Sequence, residues 1–260
     1  MPELPEVETI VRGLAPRLAG RRIESIELRQ PRVLKNDVSA AAGSTISRVR
    51  RWGKHIVLDL RRGHLIIHLG MTGQLLLNAD PGPHTHALFV LDRGLTLTYS
   101  DIRQFGRLEF SDRLPQRLER LGPEPLDLSE PDFIARLRAR RSMLKPLLLN
   151  QEFLRGLGNI YADEALFRAR VHPRAIAARL RQARAQRLYR AIVDVLTESI
   201  RCGGTSVSDY VASDGRRGAF QSRLRVYQRS GQPCPSCGAP IRRIVLASRG
   251  THFCPRCQRS

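Results

Sequence analysis

Lysine is almost missing from this 260-residue chain. Of its 44 basic residues only Lys35, Lys54 and Lys145 are lysine, which leaves 41 arginines against 24 acids and a formal net charge of +20. There is no long uncharged apolar run, which excludes a membrane-spanning helix. The N-terminus carries acids where a secretory leader would carry bases, so the expected compartment is the cytoplasm. Neither a membrane-binding amphipathic stretch nor an internal repeat is visible. A polyanionic partner is therefore expected, with nucleic acid favoured over lipid. Charge alone would suit a ribosomal protein equally well. In a chain written in arginine, a retained lysine marks a place for a compact ammonium, because guanidinium is bulkier, planar and effectively never deprotonated. Chance survival is the competing account, and it applies best to Lys35, which falls in no motif.

What is present begins with Met1-Pro2-Glu3-Leu4-Pro5-Glu6-Val7-Glu8. Proline is small enough for the preceding methionine to be trimmed, which would leave the Pro2 ring nitrogen as a terminal secondary amine. An α-amino group titrates at ~7.8, so roughly a third is unprotonated at pH 7.5, against on the order of 0.1% for an ordinary lysine. Only the unprotonated amine attacks carbon. Glu3, Glu6 and Glu8 supply carboxylates for proton transfer close by. The same residues also make an ordinary helix start, with proline and acids in the first turn.

The length suggests two compact units plus an appendage. Residues 5–19 place Val7, Ile10, Val11, Leu14 and Leu18 at helical spacing, ending near Gly20. Short strands follow from 22 to about 110, including 56–60, 64–69 and a hairpin of 88–91 returning through Asp92-Arg93-Gly94 to 95–99, a pattern that predicts a β-sandwich. Proline-bearing residues 113–128 read as a linker. Ser129 caps a helix with Phe133, Ile134 and Leu137 on one face. Further helices are predicted over 143–154, from 159, and over 179–201, the last broken at Gly203-Gly204. Residues 203–223 read as a long mobile loop. The expected fold class is α+β multidomain: a sandwich domain with a leading helix (1–112), the linker (113–128), a helical domain with the loop (129–228) and a C-terminal β-hairpin zinc unit (229–260).

Cys234-Pro-Ser-Cys237 and Cys254-Pro-Arg-Cys257, sixteen residues apart, have the spacing of a four-cysteine zinc site. The metal would hold a hairpin too small for its own core, with Ile241, Ile244, Val245 and Phe253 inside. A reducing cytoplasm disfavours disulfides. Cys202 reads as a buried helix residue, and His84 and His86 as surface residues. Gly156-Leu-Gly158-Asn159 leads into a helix whose N–H groups and dipole favour a phosphate, with the Asn159 amide as an added donor. An ordinary glycine turn with Asn159 as N-cap fits as well. The Arg249-Gly250-Thr251 turn, flanked by Arg242 and Arg243, is a second candidate phosphate contact, though such a hairpin would be basic in any case. His68-Leu-Gly-Met71-Thr-Gly73 and Asp101-Ile-Arg103-Gln-Phe105-Gly106 end predicted strands. Met71, Arg103 and Phe105 could project there as wedges that enter a base stack, although core packing is the default for a lone Met or Phe.

Taken in order, the PELPEVE opening, Arg51-Trp-Gly-Lys54, Gly158-Asn159-Ile160-Tyr161, the Ser213-Asp-Gly loop running to Val226-Tyr227 and the Arg249-led half of the zinc hairpin resemble the bacterial formamidopyrimidine-DNA glycosylases over the whole chain. Leu4 stands where the sister group, endonuclease VIII, characteristically has glycine, which favours the purine-repair branch. The resemblance implies a β-sandwich, a helix–two-turn–helix domain and a zinc finger holding one structural Zn2+, in a monomer acting on double-stranded DNA that contains oxidised bases or abasic sites. Carried over by position, Pro2 is the nucleophile, Glu3 a proton donor at the sugar and Glu6 a pocket residue. Lys54 lies at the lesion and its phosphates, and Lys145 near the lesion pocket. His68, Asn159, Tyr227 and Arg249 contact phosphates, with Arg243 beside them. Met71, Arg103 and Phe105 fill the void, with Arg103 facing the unpaired cytosine. The loop at about 213–222 closes over the flipped base. Gln104 departs from a more usual basic residue and Trp52 from a small or basic one. Two rivals stand beside this reading: a noncatalytic basic zinc protein, and a glycosylase for oxidised pyrimidines.

Overall fold

The computed structural model describes residues 1–207 and 209–259; Ser208, inside the predicted loop, and Ser260, the last residue of the predicted zinc unit, lie outside the described residues. Two compact units form, and neither is one continuous stretch. The first comprises Met1–Arg120 and Ile200–Gln221, the second Leu121–Ser199 and the residues from Ser222 onward.

The first unit opens with helix α1 (Leu4–Leu18), started by a reciprocal capping box between Glu3 and Glu6 and buried along Leu4, Val7, Ile10, Val11, Leu14 and Leu18. The strands are β1 (Ile23–Leu28), β2 (Ile46–Trp52), β3 (His55–Leu60), β4 (His64–His68), β5 (Gly73–Leu77), β6 (Thr85–Leu91), β7 (Thr96–Asp101) and β8 (Arg107–Ser111). They make two four-stranded sheets, ordered β1-β6-β7-β5 and β2-β3-β4-β8, with antiparallel pairing throughout. This is the predicted sandwich. Ile56, Leu58, Leu65 and Ile67 of one sheet meet Phe89, Leu91, Leu97 and Tyr99 of the other in a core that also takes the α1 stripe. The intervening neighbours Val57 and Ile66 are buried as well, so β3 and β4 are covered on both faces. The predicted linker is not a bare tether. It carries a short helix α2 (Gln116–Glu119), in which Leu118 is buried and its carbonyl accepts from Trp52 Nε1 at 2.7 Å.

The second unit contains α3 (Glu130–Arg138), α4 (Leu144–Leu149), α5 (Asn159–Arg168), most of α6 (Gln182–Arg201), and the hairpin β9 (Arg242–Leu246) and β10 (Arg249–Phe253). Ser129 caps α3 as expected. The helix expected over 143–154 stops at Leu149 because the Gln151 side chain replaces helical partners. Its amide donates to the Leu149 and Leu157 carbonyls at 3.0 and 2.8 Å, and its oxygen accepts the Gly156 N–H at 2.8 Å. In α6, Ala185, Leu188, Ile192, Val195 and Ser199 are buried at helical spacing.

Residues 200–221, which take in the end of the helix predicted over 179–201 and most of the loop predicted over 203–223, group with the sandwich unit. They are threaded by hydrogen bonds: Leu77 N to Ser213 O at 3.0 Å, Ala219 N to Cys202 O at 2.9 Å and Phe220 N to Gly204 O at 3.0 Å. Backbone partners of this kind leave no trace in composition. No helix among the described residues is long and apolar enough to cross a membrane.

Candidate active site and nucleic-acid interface

At the start of the first unit Pro2, Glu3 and Glu6 are buried and Met1 is exposed. Both Glu6 carboxylate oxygens are engaged, Oε2 by the Glu3 N–H at 2.8 Å and Oε1 by the Thr205 N–H at 2.7 Å. Tyr210 donates its hydroxyl to the Glu6 and Gly203 carbonyls at 3.3 and 3.1 Å. Burial, with Glu6 adding to it, raises that phenol above its usual range. Gly204 completes the arrangement with φ +84°, and a Cβ there would meet Glu6 Oε1 at 3.1 Å, so both backbone and space call for glycine. The terminal amine, on Met1 in the untrimmed chain, titrates below its ordinary value. Burial is the main cause, Glu3, Glu6 and Asp209 oppose it, and Lys54 reinforces it. The amine, both acids and Lys54, which sits in the turn between β2 and β3, thus share one electrostatic neighbourhood. Glu8 is committed elsewhere: against the upward push of burial, Arg12 and Arg51, each 2.8 Å away, hold its carboxyl below the usual range.

At the end of β4, the His68 ring lies 4.9 Å from that of His55. Both line a cavity of about 200 Å3 with Lys35, Arg107, Glu109 and Arg117. Burial is the main cause that lowers His68 to about 4, with Lys54 and Lys35 next, and His55 to about 3, with the His68 ring next, so both rings are neutral at pH 7. The Gly70 N–H donates to His68 Nδ1 at 3.2 Å, which assigns the ring proton to Nε2, a donor suited to a phosphate oxygen. Lys35, which no motif claimed, is part of this basic lining. Met71 and Phe105 are 40% and 51% exposed, and the Arg103 guanidinium lies 4.6 Å over the Phe105 ring. The core-packing default therefore does not hold for them. Gln104 between them has φ +55°. His86, expected at the surface, is buried, with Nε2 2.7 Å from the Asp101 carbonyl. Cys202 sits half-buried just past α6 rather than inside it.

In the second unit Gly158, not Asn159, is the N-cap of α5. The Asn159 amide instead donates to the Gly250 carbonyl at 3.1 Å, tying the helix start to β10. Arg243 and Arg249 are exposed on the hairpin, and a Cβ on Gly250 would come within 3.0 Å of the Arg243 guanidinium, so the glycine lets Arg243 lie across it. Lys145, expected near the lesion, is not on the surface. Its side chain is fully enclosed, ion-paired with equally buried Asp163, and 3.5 Å from the Asn159 carbonyl. The other Asp163 oxygen accepts the His252 N–H at 2.9 Å. Glu164, also buried, accepts the N–H groups of Arg225, Val226 and Tyr227 at 2.9 to 3.0 Å. Burial pushes its carboxyl up, against the pull of those bonds. Tyr227 meets the His252 ring edge-on at 5.3 Å.

The Sγ atoms of Cys234, Cys237, Cys254 and Cys257 all lie within 4.8 Å of one another. Cys234 and Cys257 are 3.9 Å apart, and Cys237 and Cys254 3.5 Å. A tetrahedral zinc with Zn–S of ~2.3 Å places its sulfurs about 3.8 Å apart, so the set fits one ion. Its core holds Ile241 with Phe167 and Val226. Of the predicted filling, Phe253 is buried but Ile244 only half so, and Val245 is 58% exposed, because it points away on the outer face opposite Gly250. Leu246 is the buried strand residue instead.

Residues 1–108 match the formamidopyrimidine-DNA glycosylase N-terminal domain, 121–211 the H2TH domain of that glycosylase, and 231–259 the zinc finger found in FPG and IleRS. A formamidopyrimidine-DNA glycosylase of Solibacter usitatus is 55% identical over 265 residues that cover 100% of both chains. The chain belongs to the formamidopyrimidine-DNA glycosylase family. Among solved family members, the Fpg of Thermus thermophilus is 47% identical, with a TM-score of 0.90 and coverage of 99% of this chain and 98% of that one. Lactococcus lactis Fpg, in complex with DNA containing N7-benzyl-Fapy-dG, is 37% identical, with a TM-score of 0.90 and full coverage of both chains. The zinc set of this glycosylase-family chain is a structural one, since four sulfurs leave no open position. Asp101, Thr205, Tyr210, Asp163 and Glu164 had no signal in the sequence. A buried acid or hydroxyl reads like an exposed one until its donors are known.

Proposed function

We propose that this chain is a base-excision repair enzyme that removes oxidised purines, formamidopyrimidines and 8-oxoguanine, from duplex DNA and then nicks the abasic site. With Met1 removed, the Pro2 nitrogen attacks C1′ of the damaged nucleotide and the base leaves. The sugar ring opens as Glu3 delivers a proton to its oxygen, and the amine is left as a cationic imine. That cation acidifies the C2′ proton, so elimination expels the 3′ phosphate and then the 5′ phosphate. The observation that carries this reading is the burial of Pro2 beside Glu3 and Glu6, whose carboxylate is fixed by the Glu3 and Thr205 N–H groups, with the charge of Lys54 felt at the chain terminus. Full-length identity to named glycosylases supports the substrate class.

Within this reading Lys54 serves the lesion phosphates. His68, Asn159, Tyr227, Arg243 and Arg249 serve the backbone, and Met71, Arg103 and Phe105 fill the void, with Arg103 on the orphaned cytosine. Lys145 has a supporting place, not a contact. The enzyme works in the cytoplasm as a monomer on nucleoid DNA. Borohydride with an 8-oxoguanine:cytosine duplex is expected to trap an adduct on the N-terminal residue of the trimmed protein. A variant with alanine inserted before Pro2 is expected to bind the duplex, form no adduct and make no incision. Full incision by that variant would refute the Pro2 assignment, and preference for a thymine-glycol duplex would refute the purine assignment.

A further inference from the structure

Asp101, at the end of β7, is wholly buried, and its carboxylate gathers donors from three places. Oδ1 accepts the Thr72 hydroxyl at 2.5 Å and the Arg103 N–H at 3.2 Å; Oδ2 accepts the Gly106 N–H at 2.7 Å and the Tyr99 hydroxyl at 3.3 Å. Thr72 Oγ1 in turn lies 3.1 Å from the Arg103 nitrogen as a second acceptor. Burying a carboxylate is costly unless its lone pairs are filled, and here two turns and the Tyr99 hydroxyl of β7 fill them. One carries Met71, the other Arg103 and Phe105. The turns are also in contact: a Cβ on Gly70, whose φ is +59°, would fall 2.5 Å from the Phe105 carbonyl carbon. Two surface turns bearing exposed side chains are thus fixed to a single buried anion.

We propose that Asp101 is a positioning residue for reading the base opposite the lesion. It holds the Met71 turn and the Arg103–Phe105 turn as one rigid piece, so the three side chains enter the duplex together and Arg103 meets the opposite base at a set height. The inference rests on the void-filling assignment made above. Preorganisation is the physical gain, because turns that moved independently would have to be ordered during insertion, at a cost to binding and to discrimination.

Asp101→Asn would set an amide N–H against donors, so the Thr72 hydroxyl is the cleaner handle. Thr72→Val removes it at nearly constant volume, and Thr72→Ser retains it. The measurement is the ratio of excision rates for 8-oxoguanine opposite cytosine and opposite adenine. Borohydride trapping on a single-stranded abasic oligonucleotide, which has no opposite base and no stack to fill, runs alongside. The cytosine preference is expected to fall about tenfold in Thr72→Val, the factor set by losing a hydrogen bond to a charged group. It is expected to stay near the parental value in Thr72→Ser, with single-strand trapping kept in both. An unchanged ratio in Thr72→Val, where Arg103→Ala abolishes it, overturns the positioning role. So does parallel loss on the single strand, which would mark Thr72 as a general structural residue. An unchanged ratio in Arg103→Ala itself overturns the void-filling assignment and this inference with it.

Discussion

Lys145 shows how far a single residue can be read. The scarcity of lysine marks it as a place for a compact ammonium, and it does occupy an enclosed site against Asp163 with no exposed area. What the sequence cannot tell is which anion it faces, because phosphate and buried carboxylate ask for the same cation. Breaking a buried pair strands the remaining charge. Lys145→Met is therefore expected to lower stability by about 3–5 kcal/mol in urea unfolding, and Lys145→Met with Asp163→Asn to recover part of that loss. Weaker DNA binding at unchanged stability would instead return Lys145 to the DNA. The zinc cysteines were legible because their chemistry depends on local spacing. Asp101 and Glu164 were not, because their meaning lies in backbone donors brought from elsewhere.

Among the elements, α1, the sandwich strands and the cysteine hairpin follow from periodicity and spacing, whereas α4 was overextended because a side chain, Gln151, ends it. The hairpin is joined to α5 through Asn159–Gly250 and Asp163–His252. Zinc removal should therefore loosen more than the hairpin. With a chelator, or in Cys254→Ser, hydrogen exchange is expected to lose protection in β9, in β10 and at residues 225–227, while β3 and β4 keep theirs. Uniform loss across both units would show that the metal supports the whole fold. Intact β10 protection would show that the hairpin stands without it.

For the whole molecule, the net charge of +20 makes DNA affinity a matter of counterion release. Arg249 and His68 should then separate cleanly. Arg249→Ala is expected to reduce the slope of log affinity against log salt by about one. His68→Ala is expected to weaken binding with the slope unchanged, because its ring is neutral at pH 7. Equal slopes for the two variants would remove Arg249 from the backbone contacts. What order along the chain hid at this scale is that the sandwich unit is finished by residues 200–221. Thr205, which closes on Glu6, is made 199 positions after it. At ribosomal rates that interval is on the order of 10–40 s. During it the Glu6 carboxylate lacks its Thr205 partner, so the acid pair at the amino end is completed only once the second segment of the sandwich unit has been made.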